Sequence, residues 1–333
     1  MRVSHIRQRL RDRGANPAHE RQVLRAWSRG LPVGTRHRRP EDFLPRPVRD
    51  DLPGLFAELD GLARLAGEFP GADGSARLLV RLADGQTVES VLLPRGGLCV
   101  STQVGCAVGC VFCMTGKGGL LRQLGGAEIV AQVVLARRLR PVRRVVFMGM
   151  GEPAHNLDNV LEAIELLGRE GDIGHKNLVF SSVGDRRVFE RLPAGPVKPA
   201  LALSLHTTKA DLRERLLPKA PPIDPAELVE LGETYARATG YPIQYQWTLM
   251  AGVNDGDDEV EGIARLLAGK YAMMNFIPYN PVDGLDFRRP DPERAREIAG
   301  RLNRAGILTR LRDSAGQDVE GACGQLRARV LVA

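Results

Sequence analysis

A chain of 333 residues with 43% hydrophobic and 26% charged side chains has the size and balance of one large globular domain with a small appendage. No apolar run approaches the ~20 residues of a membrane span. The opening MRVSHIRQRLRDRG lacks the apolar stretch of a secretory signal, and five cysteines are too few for a disulfide framework, so the chain reads as cytosolic.

The net charge of +7 is unevenly spread: residues 1–50 hold thirteen arginines against five acids, a balance of +8, and the rest sums to −1. A basic segment of this kind suits a phosphate backbone, or is simply a solvated helical face. Residues 1–70 read as helical. Ser4 is placed to cap a helix ending near Gly14, Ala18–Arg29 carries Val23, Leu24 and Trp27, and Leu55 to Leu65 repeats apolar residues at helical spacing. Ala76–Ala83 and Thr87–Leu93 then alternate around Asp84-Gly85, which predicts a β-hairpin over 76–93.

From Leu98 onward strand and helix patterns alternate. Strands are expected at Leu98–Thr102, Arg144–Met148, Leu178–Ser182, Ala200–Leu205, Gln244–Leu249, Met274–Ile277 and Ile307–Leu311. Helices are expected at Ala127–Leu139, Leu157–Gly168, Pro225–Thr239, Val260–Leu267 and Pro292–Arg304. Repeated βα units predict a parallel sheet, and about six of them fit an open (β/α)6 partial TIM barrel over 98–327. Ligands of such a barrel sit at the C-terminal strand ends. Cys106, Gly149, Ser182, His206, Leu249 and Pro278 all fall there.

The stretch Gly105-Cys106-Ala107-Val108-Gly109-Cys110-Val111-Phe112-Cys113 places three thiols at C-x3-C-x2-C spacing. A four-iron cluster normally takes four thiolates, so three leave one iron open for a substrate or cofactor. Structural zinc would want a second close pair of ligands, and none follows. Three buried structural cysteines on a helix are disfavoured by Gly105 and Gly109, which suit an irregular wrapped loop.

This spacing, with the aromatic Phe112 before the last cysteine, resembles the signature of radical S-adenosylmethionine (SAM) enzymes. In these the open iron chelates SAM and reduces it to a 5′-deoxyadenosyl radical. Further patches sharpen the resemblance: Leu98-Cys99-Val100-Ser101, Gly149-Met150-Gly151-Glu152-Pro153, Ser204-Leu205-His206, Gly252-Val253-Asn254-Asp255, Ile277-Pro278-Tyr279-Asn280-Pro281 and Gly321-Ala322-Cys323-Gly324-Gln325-Leu326. Together they resemble the RlmN/Cfr family of radical SAM RNA methyltransferases over about residues 76–327, leaving 1–70 as a basic accessory region.

The resemblance implies methylation of C2 or C8 of an adenine in ribosomal or transfer RNA. It implies one [4Fe-4S] cluster on Cys106, Cys110 and Cys113, and two SAM molecules per turnover. Cys323 then matches the cysteine that first accepts a methyl group, Cys99 the thiol that resolves the adduct by a disulfide, and Glu89 the proton acceptor. An adenine ring carbon is too electron-poor to attack a SAM methyl group directly, whereas a thiolate is a good nucleophile. Gly151, Glu152, Ser181, Ser204, Leu205, His206 and Asn280 match the SAM contacts, with Ser182 a rival of its neighbour. Partners implied are RNA, an electron donor such as flavodoxin or ferredoxin, and no membrane, with the enzyme a monomer.

Bland alternatives stand beside these roles. Cys99 and Cys323 are equally read as small buried apolar side chains, Glu89 as a solvent-facing strand residue, and His206 as a core histidine. Gln246 stands where the family usually has glutamate, and Val183-Gly184-Asp185-Arg186 and Pro218-Lys219-Ala220-Pro221 also depart from its pattern. A radical SAM activase or maturase, and a catalytically silent RNA-binding paralogue, remain open at this point.

Overall fold

The computed structural model describes residues 1–34, 39–282 and 284–327. Helices α1 (Val3–Asp12), α2 (Pro17–Arg29) and α3 (Arg46–Gly61) open the chain. Asn16 caps α2, its side chain accepting from the N–H groups of Ala18 and His19, and left-handed Gly30 ends it. Ser4 does not cap α1. It lies inside the helix and its hydroxyl donates to Glu162, which also accepts from the Val3 N–H at the helix start.

The helical reading of residues 1–70 fails at its end: α3 stops at Gly61, and Ala63–Pro70 is a strand, β1. Apolar spacing alone carries the helix pattern on to Leu65. The ladder with β2 (Ala76–Leu82) overrides it, antiparallel from Ala63↔Leu82 to Pro70↔Ala76 with an irregularity between Leu65 and Gly67. β2 and β3 (Thr87–Leu93) form the expected hairpin, with Gly85 at φ +84° in its turn.

The remaining elements follow as β4 (Gly97–Cys99), β5 (Gln103–Gly105), β6 (Leu120–Gln123), α4 (Gly126–Leu139), β7 (Arg144–Phe147), α5 (Leu157–Arg169), β8 (Leu178–Ser182) and α6 (Arg186–Ala194). Then come β9 (Ala200–Ser204), α7 (Ala210–Leu216), α8 (Pro225–Thr239), β10 (Ile243–Leu249), α9 (Asp257–Leu267), β11 (Ala272–Pro278), α10 (Pro292–Arg304) and β12 (Thr309–Leu311). The large sheet runs β1-β2-β3-β4-β7-β8-β9-β10-β11-β12. From β4 to β12 every pair is parallel, which makes the open partial barrel, and β1–β3 extend it as an antiparallel edge.

The strand expected over Leu98–Thr102 is shorter, because the chain leaves β4 at Cys99 and starts a small second sheet of β5 and β6. These two strands bracket the thiol loop. Helices α6 and α7 were not legible: α6 contains Pro193, and α7 has only 7 residues. One apolar core joins Val3, Leu24 and Trp27 of the N-terminal helices to the barrel, so that region is built into the fold. No helix among the described residues is long and apolar enough to cross a membrane.

Much of the N-terminal charge is neutralised inside the molecule. Arg7 and Arg11 meet buried Glu20, Arg9 binds Asp51 and Glu58, Arg2 binds Glu162 and Arg29 binds Asp172.

Candidate active site

Strand ends and the thiol loop enclose one cavity with about 900 Å³ of empty space, counting its open mouth. Cys106, Cys110, Cys113 and Cys323 all contribute to its wall, as do Gly151, Glu152, Ser181, Ser204 and His206. The thiol loop is held by its backbone. Cys106 N–H donates to Gly119 O, Val111 N–H to Leu216 O and Cys113 N–H to Cys110 O. Gly105 sits at φ +79°, where a Cβ would also collide with the Gly119 carbonyl oxygen, so no other residue fits that corner.

The second thiol-bearing segment is tied to the first. Met114 N–H donates to Gly324 O at 2.8 Å, and the Thr115 hydroxyl to Leu326 O at 2.6 Å. Cys323 has exposed surface, but it faces the cavity. Cys99, at the end of β4, is buried behind the wall and close enough to feel the charge of Cys323. Burial pushes the Cys99 thiol up, Cys323 adding to it, and burial likewise raises Cys323, whereas the Arg312 guanidinium pulls that thiol down.

Glu89 is fully buried on β3, which excludes the solvent-facing alternative. One carboxylate oxygen accepts from Arg77 Nη1 at 2.6 Å and the other from the Arg327 N–H at 3.0 Å. Arg77 also donates from Nε to Val319 O, and its guanidinium lies 4.1 Å from the centre of the Phe69 ring. Glu89 is thus gathered under the Cys323 segment, off the cavity wall.

Glu152 is buried in the same wall, near enough for Cys106 and Cys110 to feel its charge, with its oxygens accepting from the N–H groups of Ala154 and Val183. Burial pushes its carboxyl up to about 7 against these bonds and a hydroxyl bond from Ser182. That separates the two serines: Ser182 supports Glu152, and Ser181 faces the cavity. Gly151, at φ +102°, lets the backbone pass Gln103, whose Oε1 accepts from the Glu152 N–H.

His206 adopts φ +62° and packs edge-on against Phe112 at 5.0 Å. Its Nδ1 accepts from the Thr248 N–H at 2.9 Å, which puts the ring proton on Nε2. Burial, with the Arg213 charge, pushes the imidazole down to about 3, so it is neutral. The Leu205 side chain lies in the apolar core, away from the cavity, and only its N–H is engaged, donating to Gln246 O. Asn280 is likewise not on the wall: its Nδ2 donates to Ser314 Oγ and to Cys323 O, holding the Cys323 loop.

Two positions were not foreseen. Arg213 of α7 is buried behind the thiol loop and donates to the carbonyls of Val183 and Ser204. Arg77 is the partner of Glu89. Neither belongs to a motif; each is recruited from distant sequence by packing, so no local signal marks it.

The chain's similarity to known proteins agrees with this arrangement. The model of the radical SAM superfamily matches residues 100–267. The chain belongs to this superfamily. Proteins named "Probable RNA methyltransferase" from Leptothrix cholodnii and Aromatoleum aromaticum are 72% and 73% identical over 331 residues, spanning 99% of this chain and 95% and 93% of theirs. A crystal structure of a radical SAM methyltransferase from Sphaerobacter thermophilus superposes with a TM-score of 0.84 at 34% identity, over 99% of this chain and 98% of that one. Within the superfamily the chain is of the RlmN/Cfr type.

Radical SAM enzymes carry a [4Fe-4S] cluster and use SAM. The residues present fit that cluster. Its natural ligands are soft thiolates, and Cys106, Cys110 and Cys113 face one cavity. Among the described residues no three His, Cys, Asp or Glu side chains converge as a single ion would need. The three thiols instead ring a wider space, each near enough to feel another's charge. Burial pushes the Cys106 thiol up to about 12, so metal coordination is what would hold it as a thiolate. In a radical SAM site the neutral His206, Ser181, Ser204 and the Gly151 backbone then present polar groups to the same cavity as the thiols.

Proposed function

We propose that this protein methylates a ring carbon, C2 or C8, of an adenine in ribosomal or transfer RNA, through a methyl group carried first on Cys323. One observation carries this reading: the Gly324 carbonyl bound to the Met114 N–H puts Cys323 on the cavity that Cys106, Cys110 and Cys113 line. An activase or maturase has no need of a fourth thiol at that place. The close relatives named as RNA methyltransferases support the substrate class.

The chain's own residues divide the work. Cys106, Cys110 and Cys113 would hold the cluster, which with SAM supplies a carbon-centred radical for hydrogen abstraction. Gly151, Glu152, Ser181, Ser204 and His206 form the strand-end surface for SAM, two molecules being used per turnover. Cys323 takes a methyl group as thiolate, helped by the positive charge of Arg312. Glu89 is the proton acceptor, with its carboxylate held in place by the Arg77 guanidinium. Cys99 closes a disulfide with Cys323 to free the product, and a reducing cytoplasm reopens it. A monomer served by a flavodoxin- or ferredoxin-type donor suffices for this cycle.

The test is mass spectrometry of nucleosides from RNA incubated with reconstituted enzyme and deuteromethyl-SAM. A methyladenosine labelled on C2 or C8 is expected with wild type and absent with Cys323→Ala. Label on a nitrogen or ribose oxygen, or equal labelling by Cys323→Ala, contradicts the reading.

A further inference from the structure

The parallel ladder aligns a row of side chains across four strands: Ser204 pairs with Gln246, Gln246 with Asn275, and Asn275 with Arg310. Residues in register on neighbouring parallel strands share a face, and Ser204 and Gln246 line the cavity. Asn275 and Arg310 therefore face the barrel interior as well. Asn275 has no exposed surface, and both its Oδ1 and Nδ2 lack a hydrogen-bond partner. Buried amides without a partner are rare and ask for a bound group.

Arg312 follows Arg310 on the same face, anchored by its N–H to Phe276 O. It lies close enough to Arg144, Arg310 and Cys323 to feel the charge of each. Arg144, at the start of β7, has a buried Nε without a partner. Among the described residues no carboxylate lies within 4 Å of these three guanidinium groups, although arginines elsewhere are paired, as Arg77 with Glu89 or Arg122 with Asp84 and Glu128. Guanidinium stays charged at any working pH, so crowding three of them without an anion is unfavourable. Gln246, at the register of Asn275, adds no negative charge to the row.

We propose that Arg144, Arg310 and Arg312, backed by buried Asn275, form a binding site for a phosphodiester of the RNA strand, beside Cys323. A guanidinium fork matches two phosphate oxygens, and Asn275, buried in the same row behind Arg310, places no negative charge there. Arg310 is exposed, so an arriving strand meets it first, while half-buried Arg144 and Arg312 wait behind it. The site rests on the reading of RNA as substrate. It would hold the strand by its backbone, whatever the base sequence, while the target base enters the cavity.

The test is fluorescence anisotropy of a labelled, adenine-containing single-stranded RNA on the intact protein at several KCl concentrations. Arg310→Gln/Arg312→Gln should weaken binding about tenfold at low salt and flatten the log Kd against log salt slope by ~0.7 for each phosphate no longer neutralised. Asn275→Asp keeps the shape, sets a carboxylate against Arg310, and should weaken binding in the same direction. Melting temperatures establish that both variants fold, and Asn275→Asp decides the matter if the double variant does not. Unchanged slope and affinity in folded variants, with wild type binding RNA, overturn the site and leave the RNA reading standing. If wild type binds no RNA, that reading falls and inorganic phosphate decides the site. A melting temperature raised by phosphate in wild type but not in the variants supports it, and no rise in wild type overturns it.

Discussion

At the scale of single residues, the site depends on groups whose ionisation is set by burial. His206 is the clearest: its imidazole is pushed from an ordinary 6.5 down to about 3 and stays neutral in the folded protein. The unfolded chain therefore binds a proton that the folded one refuses between those values. Its contribution to stability is lost as pH falls from about 6.5 towards 3. His206→Gln, which retains an acceptor for the Thr248 N–H, should flatten this acid limb relative to wild type in urea melts at several pH values. Parallel acid limbs would contradict the assignment. That Cys106, Cys110, Cys113 and His206 lie at strand ends was legible, because a tight motif and the strand pattern announce it, whereas Cys99 and Cys323 were singled out only by the family resemblance. Arg77, Arg213 and Asn275 were not, since what matters in each is a partner, or the lack of one, decided by packing over long sequence distances.

At the scale of elements, the thiol loop is a wrapped segment bracketed by β5 and β6 and cornered by Gly105. Gly105→Ala demands a strained left-handed alanine and moves the Gly119 carbonyl, a cost of roughly 1–3 kcal/mol or more. Iron content after anaerobic reconstitution should fall well below wild type while far-UV circular dichroism is retained. Full iron loading would show that the corner is not needed. The strands and helices of the barrel were legible because each buries a continuous or periodic apolar face. The strand β1 was misread as helix because Leu55, Leu59, Leu62 and Leu65 keep helical spacing through a boundary that only the β2 ladder defines. The short helices α6 and α7 offer too few turns for periodicity to register.

At the scale of the whole molecule, the N-terminal region is part of the fold. Val3, Ile6, Leu10, Val23, Leu24 and Trp27 are buried in the common core, and Glu162 and Glu170 of the barrel side meet Arg2 and Arg7. Removing residues 1–61 would open that core, so the truncated chain should lose its cooperative thermal transition. A truncated protein melting like wild type would make the region a detachable module after all. The charge excess of residues 1–50 was plain in the sequence, but its meaning was not, because the neutralising acids Glu162 and Asp172 lie far along the chain. The central claim, that Cys323 carries the methyl group, is tested most directly by the mass of its peptide from protein purified without oxygen, before and after SAM. The account predicts a gain of one methyl group on Cys323 that is absent without SAM. An unmodified Cys323 in protein that still cleaves SAM would contradict it.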